Sequence, residues 1–496
     1  MAQQELLDDY RALSSTHWLW TRNRDRYEFL YNSYSGGEDY RKGGYLTRYQ
    51  LETGNEYTAR LLNTPLDNHC QSVIATYISF MFREEPEREF YTWAGQADVE
   101  DFLNDANMEG QSFDGFMKQT ATWASVFGHC WIIMTKPNLG AASLGQELEM
   151  GVRPYVNLLT PLVVSDWNWE RMPGGKYELS YFKYVEEVID NITTVREWTR
   201  DTIKTWVMDD QKKEAYLELE EINQLGMIPV VLVYNQRGIT KDLGISDIND
   251  IADLQRQIYN LTSENEQSIR MDGHPSLVVP PTAQLGSGAG AIIQLQEGSD
   301  PGLNPYYLEH GGNAITSIHS SIDKLVEAID RISFTGGVRA TATKTMSGIA
   351  METEFQLLNA KLSEKADNIQ LAEEQIWKLF GLYQGREWVG EIEYPSSFNI
   401  RDDQREFAQL ASAKSAATNP KVLDIIDGKI VELLGEDPEV LFATDMLAGQ
   451  EPLPPVPVFE PHIMIDPLTD KEYIARTEQE HLDYAALGYV HKEEDY

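Results

Sequence analysis

The sequence predicts a helix-rich α+β chain with more than one structural unit, and three observations carry that prediction. Apolar residues recur at intervals of three and four in long runs between Ile248 and Leu379 and again after Asn419, the spacing that lines one face of a helix. Between His129 and Tyr234 the period drops to two, in stretches rich in Trp, Tyr, Val, Ile and Thr, which marks half-buried strands. The chain has 496 residues, 42% of them hydrophobic, with 11 Trp and 25 Tyr. That exceeds what one core usually fills and is ample for real ones.

Taken in order, residues 4–33 read as one or two helices, with an arginine-rich turn from Thr21 to Phe29 (TRNRDRYEF). Asp25 and Glu28 sit among those arginines, so both a nucleic-acid contact and a solvated helix face fit the segment. Gly36-Gly37 and Gly43-Gly44 bracket a charged turn. A helical pattern then runs from Tyr57 to Phe82 and stops at Arg83-Glu84-Glu85-Pro86, because proline lacks the N–H that would continue it. A further helix is expected from about Val99 to Phe127.

After Gly128, strands are expected at His129 to Thr135, Tyr155 to Trp169, Tyr177 to Val188 and Thr193 to Met208, with turns at Pro173-Gly174-Gly175 and Asp190-Asn191. A meander is the simplest arrangement. Ile228 to Tyr234 adds a short apolar strand. Trp388, Ile392 and Tyr394 suggest a returning strand that completes the same sheet, which would make everything between them an insertion.

That insertion, Gly244 to Gln384, reads as a shaft. In its first helix Ser246 is the expected N-cap, with Ile248, Ile251, Leu254, Ile258 and Leu261 along one face. Ile315, Ile318, Ile322, Leu325, Ile329 and Ile332 line the second helix, and Phe355, Leu358, Leu362, Ile369, Ala372, Ile376 and Leu379 the third. Between the first two lies a β-like insert, with strands at Ser276 to Val279 and Ala291 to Leu295, a glycine loop (Gly286, Gly288, Gly290) and Tyr306-Tyr307 near its end. Between the second and third lies Arg331 to Gly348, RISFTGGVRATATKTMSG, with three basic residues and no acidic one. Here Gly336 and Gly337 are expected to let the chain leave the helix, and Thr335, Thr341, Thr343 and Thr345 to discourage its extension.

The C-terminal part is acidic and helical: Phe407 and Leu410 mark one helix, and Val422, Leu423, Ile426, Ile430 and Leu433 another. Glu451 to Pro457 (EPLPPVP) reads as a polyproline-type spacer. One more amphipathic helix is expected from Asp466 through Tyr473, Ile474, His481, Tyr484 and Leu487.

Composition excludes several functions. A formal charge of −38, from 41 basic and 79 acidic residues, argues against a surface that grips nucleic acid by neutralising phosphates. It leaves open a protein that lets DNA slide past. The two cysteines, Cys70 and Cys130, have no metal-like spacing and suit a reducing compartment. The N-terminal MAQQELLDDYRALSS is unlike a signal peptide. The longest apolar run, Ser72 to Phe82, is too short to span a bilayer, so a soluble protein with no membrane contact is expected. The chain lacks G-x-x-x-x-G-K-[ST], and its nine histidines include no H-E-x-x-H pair. No enzyme activity, catalytic residue, cofactor or metal is therefore expected.

The order of segments resembles the portal proteins of tailed double-stranded DNA phages. The resemblance rests on GISDINDIADLQRQIYNLTSENEQSIRMDGHPSLVV from Gly244 to Val279, NAITSIHSSIDKLVEAIDRISFTGG from Asn313 to Gly337, and MSGIAMETEFQLLNAKLSEKADNIQLAEEQIWKLF from Met346 to Phe380. Upstream, YTARLLNTPLDNHCQSVIATYISFMFREEP from Tyr57 and VVSDWNWE from Val163 are similar to the portal wing. The likeness covers roughly residues 40–400 and is an order of segments, not a catalytic fingerprint.

The resemblance implies a ring, usually dodecameric, at one capsid vertex. The terminase drives DNA through it, the major capsid or scaffolding protein surrounds it, and a head-to-tail adaptor docks on it. The protein would thus be assembled in the host cytoplasm and end in the virion. Carried onto this chain, residues 1–243 are N-terminal arm and wing, 244–270 a stem helix, 271–313 the clip and 314–332 the second stem helix. Residues 333–347 are the tunnel loop, 348–384 the long wing helix, 385–400 the returning wing strand and 401–450 the crown helices; 451–496 are spacer and terminal helix. The resemblance makes Arg331, Arg339, Lys344, Thr341, Thr343 and Thr345 candidates for touching DNA in the channel, and Gln284, Gly286, Gly288, Gly290 and Gln296 candidates for the clip's docking surface. For Arg339 and Lys344 a second reading stands beside this one, in which both pair with acidic residues of adjacent subunits. Composition alone also fits another phage ring component, such as an adaptor or baseplate protein, or an acidic soluble hydrolase.

Overall fold

A computed structural model describes residues 2–137, 146, 150–273, 276–279, 284–285, 293–294, 306–308, 313–339, 348–398, 403–417, 419–433, 462–469 and 471–491. The chain divides into two units, Met1–Asn399 and Ile400–Tyr496.

The larger unit begins with five helices: α1 (Ala2–Leu13), α2 (Trp18–Ser35), α3 (Gly37–Lys42), α4 (Gly54–Asn63) and α5 (His69–Met81). The arginine-rich segment Thr21–Phe29 is thus part of α2, not a turn. Arg24 pairs with Glu28 at 3.2 Å and Arg26 with Asp253 at 2.9 Å. The charged turn between the two glycine pairs is itself the short helix α3. The pattern from Tyr57 to Phe82 is two helices, because Pro65 interrupts it and Asn68 caps the second through the Gln71 N–H.

After the strand β1 (Glu87–Glu89), the expected helix from Val99 to Phe127 is also two, α6 (Ala97–Asn104) and α7 (Phe113–Phe127). Between them the chain folds on itself, with the Gly110 N–H donating to Asp105 Oδ1 at 2.9 Å and the Ala106 N–H to the Gln111 carbonyl at 2.7 Å. Ser112 then caps α7.

Two antiparallel sheets follow. One has the order β3-β2-β9, from β2 (His129–Thr135), β3 (Tyr155–Leu159) and β9 (Val230–Tyr234), with β2 central and wholly buried. The other is a five-stranded meander of β4 (Val164–Arg171), β5 (Tyr177–Ile189), β6 (Ile192–Thr199), β7 (Thr202–Asp209) and β8 (Glu214–Ile222). The stretch Tyr155 to Trp169 is therefore two strands in different sheets. Thr193 to Met208 is two strands joined at Arg200-Asp201, and β8 comes from a segment that sequence reading passed over. Lys183, fully buried in β5, donates to the carbonyls of Leu13 at 2.9 Å and Ser15 at 2.6 Å, which fixes the N-terminal arm to the sheet.

The shaft segment holds α8 (Asn249–Gly273), β10 (Ser276–Val278), β11 (Gln284–Leu285), β12 (Ile293–Gln294), β13 (Tyr306–Leu308), α9 (Asn313–Ser333), α10 (Gly336–Arg339) and α11 (Gly348–Tyr383). Its entrance is tight: a Cβ on Gly244 would sit 1.8 Å from the Gly128 carbonyl oxygen, and Gly128 itself has φ +90°. Only glycine fits either position. Ser246 caps α8 as expected, accepting from the Ile248 N–H at 3.2 Å, while its own hydroxyl donates to the Val126 carbonyl.

The third helix is no part of a shaft. Leu358, Leu362, Ala366, Ile369, Ala372, Ile376, Trp377 and Phe380 of α11 are all buried in the main core with Val73, Tyr77, Phe102, Phe113 and Phe116. The returning strand β14 (Glu391–Glu393) pairs with β1, not with either larger sheet. Two ionic knots fasten α11. Glu373, fully buried, receives Arg88 at 2.5 Å and the Tyr394 hydroxyl at 2.6 Å. Lys365 meets Asp247, Asn235 and Ser125, and Lys361 reaches Asp247 at 3.1 Å and the Tyr77 hydroxyl at 3.1 Å.

In the smaller unit, α12 (Asp403–Ala416) packs on α13 (Pro420–Leu433) and Lys414 pairs with Asp427. The expected final helix is largely a sheet: β15 (His462–Asp466), β16 (Lys471–Ala475) and β17 (Val490–His491) in the order β16-β15-β17, with only α14 (Glu478–Ala486) helical. The turn at Asp466, whose carboxylate accepts from Leu468 N–H and Thr469 Oγ1, makes the hairpin. Tyr489 stacks on both Tyr473 and Tyr484, whose rings are tilted against each other. The spacer at 451–457 lies outside the described residues. No helix among the described residues is long and apolar enough to cross a membrane.

Candidate nucleic-acid interface

Two places follow from the sequence reading, the turn after α9 and the insert between α8 and α9. The turn is a Schellman-type stop. The Thr335 N–H reaches back to the Asp330 carbonyl at 3.2 Å, and Phe334, with φ +56°, takes the left-handed position. The glycines were expected to make that exit, yet the residue that makes it is an aromatic one, held by packing against the core. Gly336 serves a different end: its N–H donates to Glu354 at 3.0 Å, and a Cβ there would lie 2.7 Å from the same carboxylate oxygen. Thr335 is buried, with its hydroxyl 2.6 Å from that of Ser333, whose carbonyl accepts from the Tyr77 hydroxyl at 2.6 Å.

Arg339 closes the turn from the other side. Its guanidinium donates to Asp330 Oδ1 at 2.8 Å, Ser72 Oγ at 3.1 Å and His69 Nδ1 at 2.8 Å. The far nitrogen of His69 lies 3.1 Å from Asp67, and that contact holds the Asp67 carboxyl below its ordinary range. With its side chain only 13% exposed, Arg339 is a clamp between α9, α10 and α5. Its acidic partner within this chain is Asp330. Arg331, in the last turn of α9, is exposed. Thr341, Thr343, Lys344 and Thr345 lie outside the described residues. The signal for the clamp was absent locally, since His69 and Ser72 are some 270 residues away in the chain.

In the insert, β10 pairs with β13 (Leu277 opposite Tyr307) and β11 with β12 (Gln284 opposite Gln294), both antiparallel. Gln284 therefore stands on a paired strand. Gly286, Gly288, Gly290 and Gln296 lie outside the described residues.

The helices that carry the insert are unusual in burial. Ile248 at the entrance and Ile251, Ala252, Ile258 and Tyr259 in α8 are buried, but after Ser263 no described side chain of the helix is. In α9 nothing before Ile329 is buried, although Ile315, Ile318, Ile322, Leu325 and Val326 lie along it half-covered.

No model of a protein family matches the chain, and no curated protein does. Among solved structures, the chain is similar to one from the virion of a native gene transfer agent particle, at 9% identity and TM-score 0.42, over 83% of this chain and 99% of that one. A chain from the neck of an empty particle of that kind, computed with C6 symmetry, gives 12% identity and TM-score 0.44 over 78% and 95%. Another from the neck of the native particle, computed with C12 symmetry, gives 9% and 0.40 over 75% and 94%. Likeness of this degree carries no argument about what the chain does.

Proposed function

We propose that the chain is a portal-type subunit of a tailed phage or phage-like particle. It forms a ring at one capsid vertex through which a terminase packages double-stranded DNA, and on which a head-to-tail adaptor later docks. The reading assigns the chain no enzyme activity of its own. The observation that carries it is the outer half of the α8–α9 pair. Ile322, Leu325 and Val326 still pack at the edge of the main core, but nearer the insert Ile315 and Ile318 are only half-covered and Ile269 is 45% exposed. A buried aliphatic side chain stabilises by about 1.5–3 kcal/mol, so leaving these three uncovered is a cost that neighbouring copies remove. A ring supplies such neighbours to every subunit at once. The segment order read from the sequence supports the same arrangement, with the paired strands of the insert at the tip of the two helices.

Light scattering and negative-stain imaging of the purified chain test this reading. A closed ring with a central hole and a narrowed stalk is expected, with no ATP hydrolysis in its absence of a phosphate loop. A stable monomer overturns the ring, and ATPase activity that survives stringent purification overturns the division of labour with a separate motor.

A further inference from the structure

Opposite edges of the five-stranded sheet carry opposite charge. The β8 edge reads EAYLELEEI from Glu214 to Ile222, with four glutamates and no basic residue. Tyr216 is 52% exposed, Leu219 48% and Ile222 78%. As the last strand of the meander, β8 pairs with β7 alone; α1 packs against it, and Glu220 reaches Lys204 of β7 at 3.7 Å. Its exposed apolar side chains, set among carboxylates, still offer surface to a further chain.

The β4 edge is the reverse. Beside it a cavity of about 430 Å³ is lined by Trp169, Tyr177, Arg237, Lys241, Lys378 and Leu382. Lys241 Nζ lies 3.9 Å from the Tyr177 ring centre and 4.7 Å from that of Trp169, and the Arg237 guanidinium lies 5.1 Å from the ring of Tyr234. Rings hold these two cations in place without neutralising them. Lys378 has Glu374 at 3.1 Å, Glu178 on the same wall pairs with Lys176 at 3.1 Å, and the carboxylate of Asp242 is buried, donated to by Trp167. Between Arg237 and Lys241, Ile239 projects fully into solvent, and Leu382 is 52% exposed on the cavity wall. In a chain of formal charge −38, a rim that presents cations around apolar surface is the exception.

We infer that the acidic, apolar β8 edge of one copy seats on the cationic, aromatic cleft beside β4 of the next. The partner is a second copy of this chain, because the two surfaces complement each other in both charge and apolar character and lie at opposite edges of one sheet. A contact between two different patches is head-to-tail, and repeated head-to-tail contacts close into a ring when the rotation allows. The inference rests on the ring reading and names the surface that sets each subunit against its neighbour. Charge complementarity of this kind fixes which faces meet and in what register.

Two variants test it, E218K/E220K on the strand and R237E/K241E on the cleft. All four side chains are exposed, so both variants are expected to fold. Each alone is expected to raise the concentration needed for ring assembly by roughly tenfold or more at low salt, because like charges then face each other. Mixed in equal amounts, the two are expected to recover rings, since a reversed strand now meets a reversed cleft at every second joint while the other joints stay native. Rings that form from each variant as readily as from the native chain overturn the interface and leave the ring reading intact. Variants that fail alone and also fail when mixed overturn the head-to-tail pairing. A native chain that stays monomeric overturns the ring reading and this interface together.

Discussion

Replacing Asp247 by Asn tests whether the shaft is rooted in the body by charge. The Asp247 side chain is 4% exposed and holds Lys365, itself 5% exposed, together with Lys361 at 23%. Burial alone raises a carboxyl, but here Lys365 and Lys361 outweigh it and hold Asp247 down at about 2. Asparagine keeps the shape and one carbonyl acceptor but removes the charge, which leaves the buried Lys365 ammonium with neutral acceptors alone, the Ser125 hydroxyl and the Asn235 side-chain carbonyl among them. Breaking one partner out of a buried pair costs about 3–5 kcal/mol, and the remaining neutral acceptors place the expected loss near the lower end. The sign with pH follows from the direction of the shift. A carboxyl lower in the folded than in the unfolded state contributes stability above its unfolded value near 4, and that contribution disappears as pH falls through about 2. A gap of roughly two units corresponds to about 2.6 kcal/mol. Urea unfolding followed by tryptophan fluorescence reads both effects, with Lys361→Gln as a milder control because its side chain is partly solvated. If Asp247→Asn unfolds within about 1 kcal/mol of the native chain, the pair does not anchor α8 to α11, and the acid limb must then come from other carboxylates.

Gly244→Ala should cost more than about 4 kcal/mol or prevent folding, since its Cβ would lie 1.8 Å from the Gly128 carbonyl oxygen; a melting temperature within a few degrees of native would show that the α8 entrance gives way. Arg339→Glu should loosen the turn after α9, because a carboxylate would face Asp330 and Asp67, and limited proteolysis after Arg331 should then accelerate. Lys344→Glu should leave ring assembly and thermal stability unchanged but reduce the fraction of DNA-filled particles, while Lys344→Gln does so less; filling at the native rate would remove charge from the account of that loop. Substitutions across Gln284 to Gly290 and Gln296 to Asp300 should weaken terminase or adaptor binding in a pull-down, and binding of both partners at native strength would end the docking reading of the insert.

Periodicity made the long elements legible. The ranges of α8, α9 and α11 follow from apolar spacing within a few residues of the observed ends, and the turns at Pro173-Gly174-Gly175 and Asp190-Asn191 were visible because each contains residues that turns require. Splits without such punctuation were not visible. The β6–β7 joint at Arg200-Asp201 contains neither glycine nor proline, and β8 alternates too loosely to show a period. Apolar spacing alone puts α11 in the shaft for a related reason: an amphipathic pattern says that one face is covered, not by what. Its cover proved to be the body's aromatic core. The clamp made by Arg339 is hidden at a deeper level. Its surroundings in sequence are glycine and threonine, while its partners His69 and Ser72 reach it only through the tertiary fold.

The fate of Arg339 bears on how such a chain could touch DNA at all. Arg26, Arg60, Arg88, Arg339 and Arg386 each meet a carboxylate of their own chain, so much of the scarce positive charge is spent on joining elements. Arg60 illustrates the pattern: almost fully buried, it binds Glu52 at 2.8 Å and Ser263 at 3.0 Å, locking α4 to the last buried turn of α8. Pairs of this kind cancel locally and leave the formal −38 of the chain unchanged. Under the portal reading, a bore with that balance repels the duplex and leaves its counterions in place, which avoids the steep salt dependence of proteins that neutralise many phosphates. The exposed cations of α9 under that reading are Lys324 and Arg331, the latter on the last turn before the clamp. Under the same reading, a clamp that fixes the root of the loop with few exposed cations beside it would give DNA a narrow, weak contact instead of a grip, which is what continued movement through a channel requires.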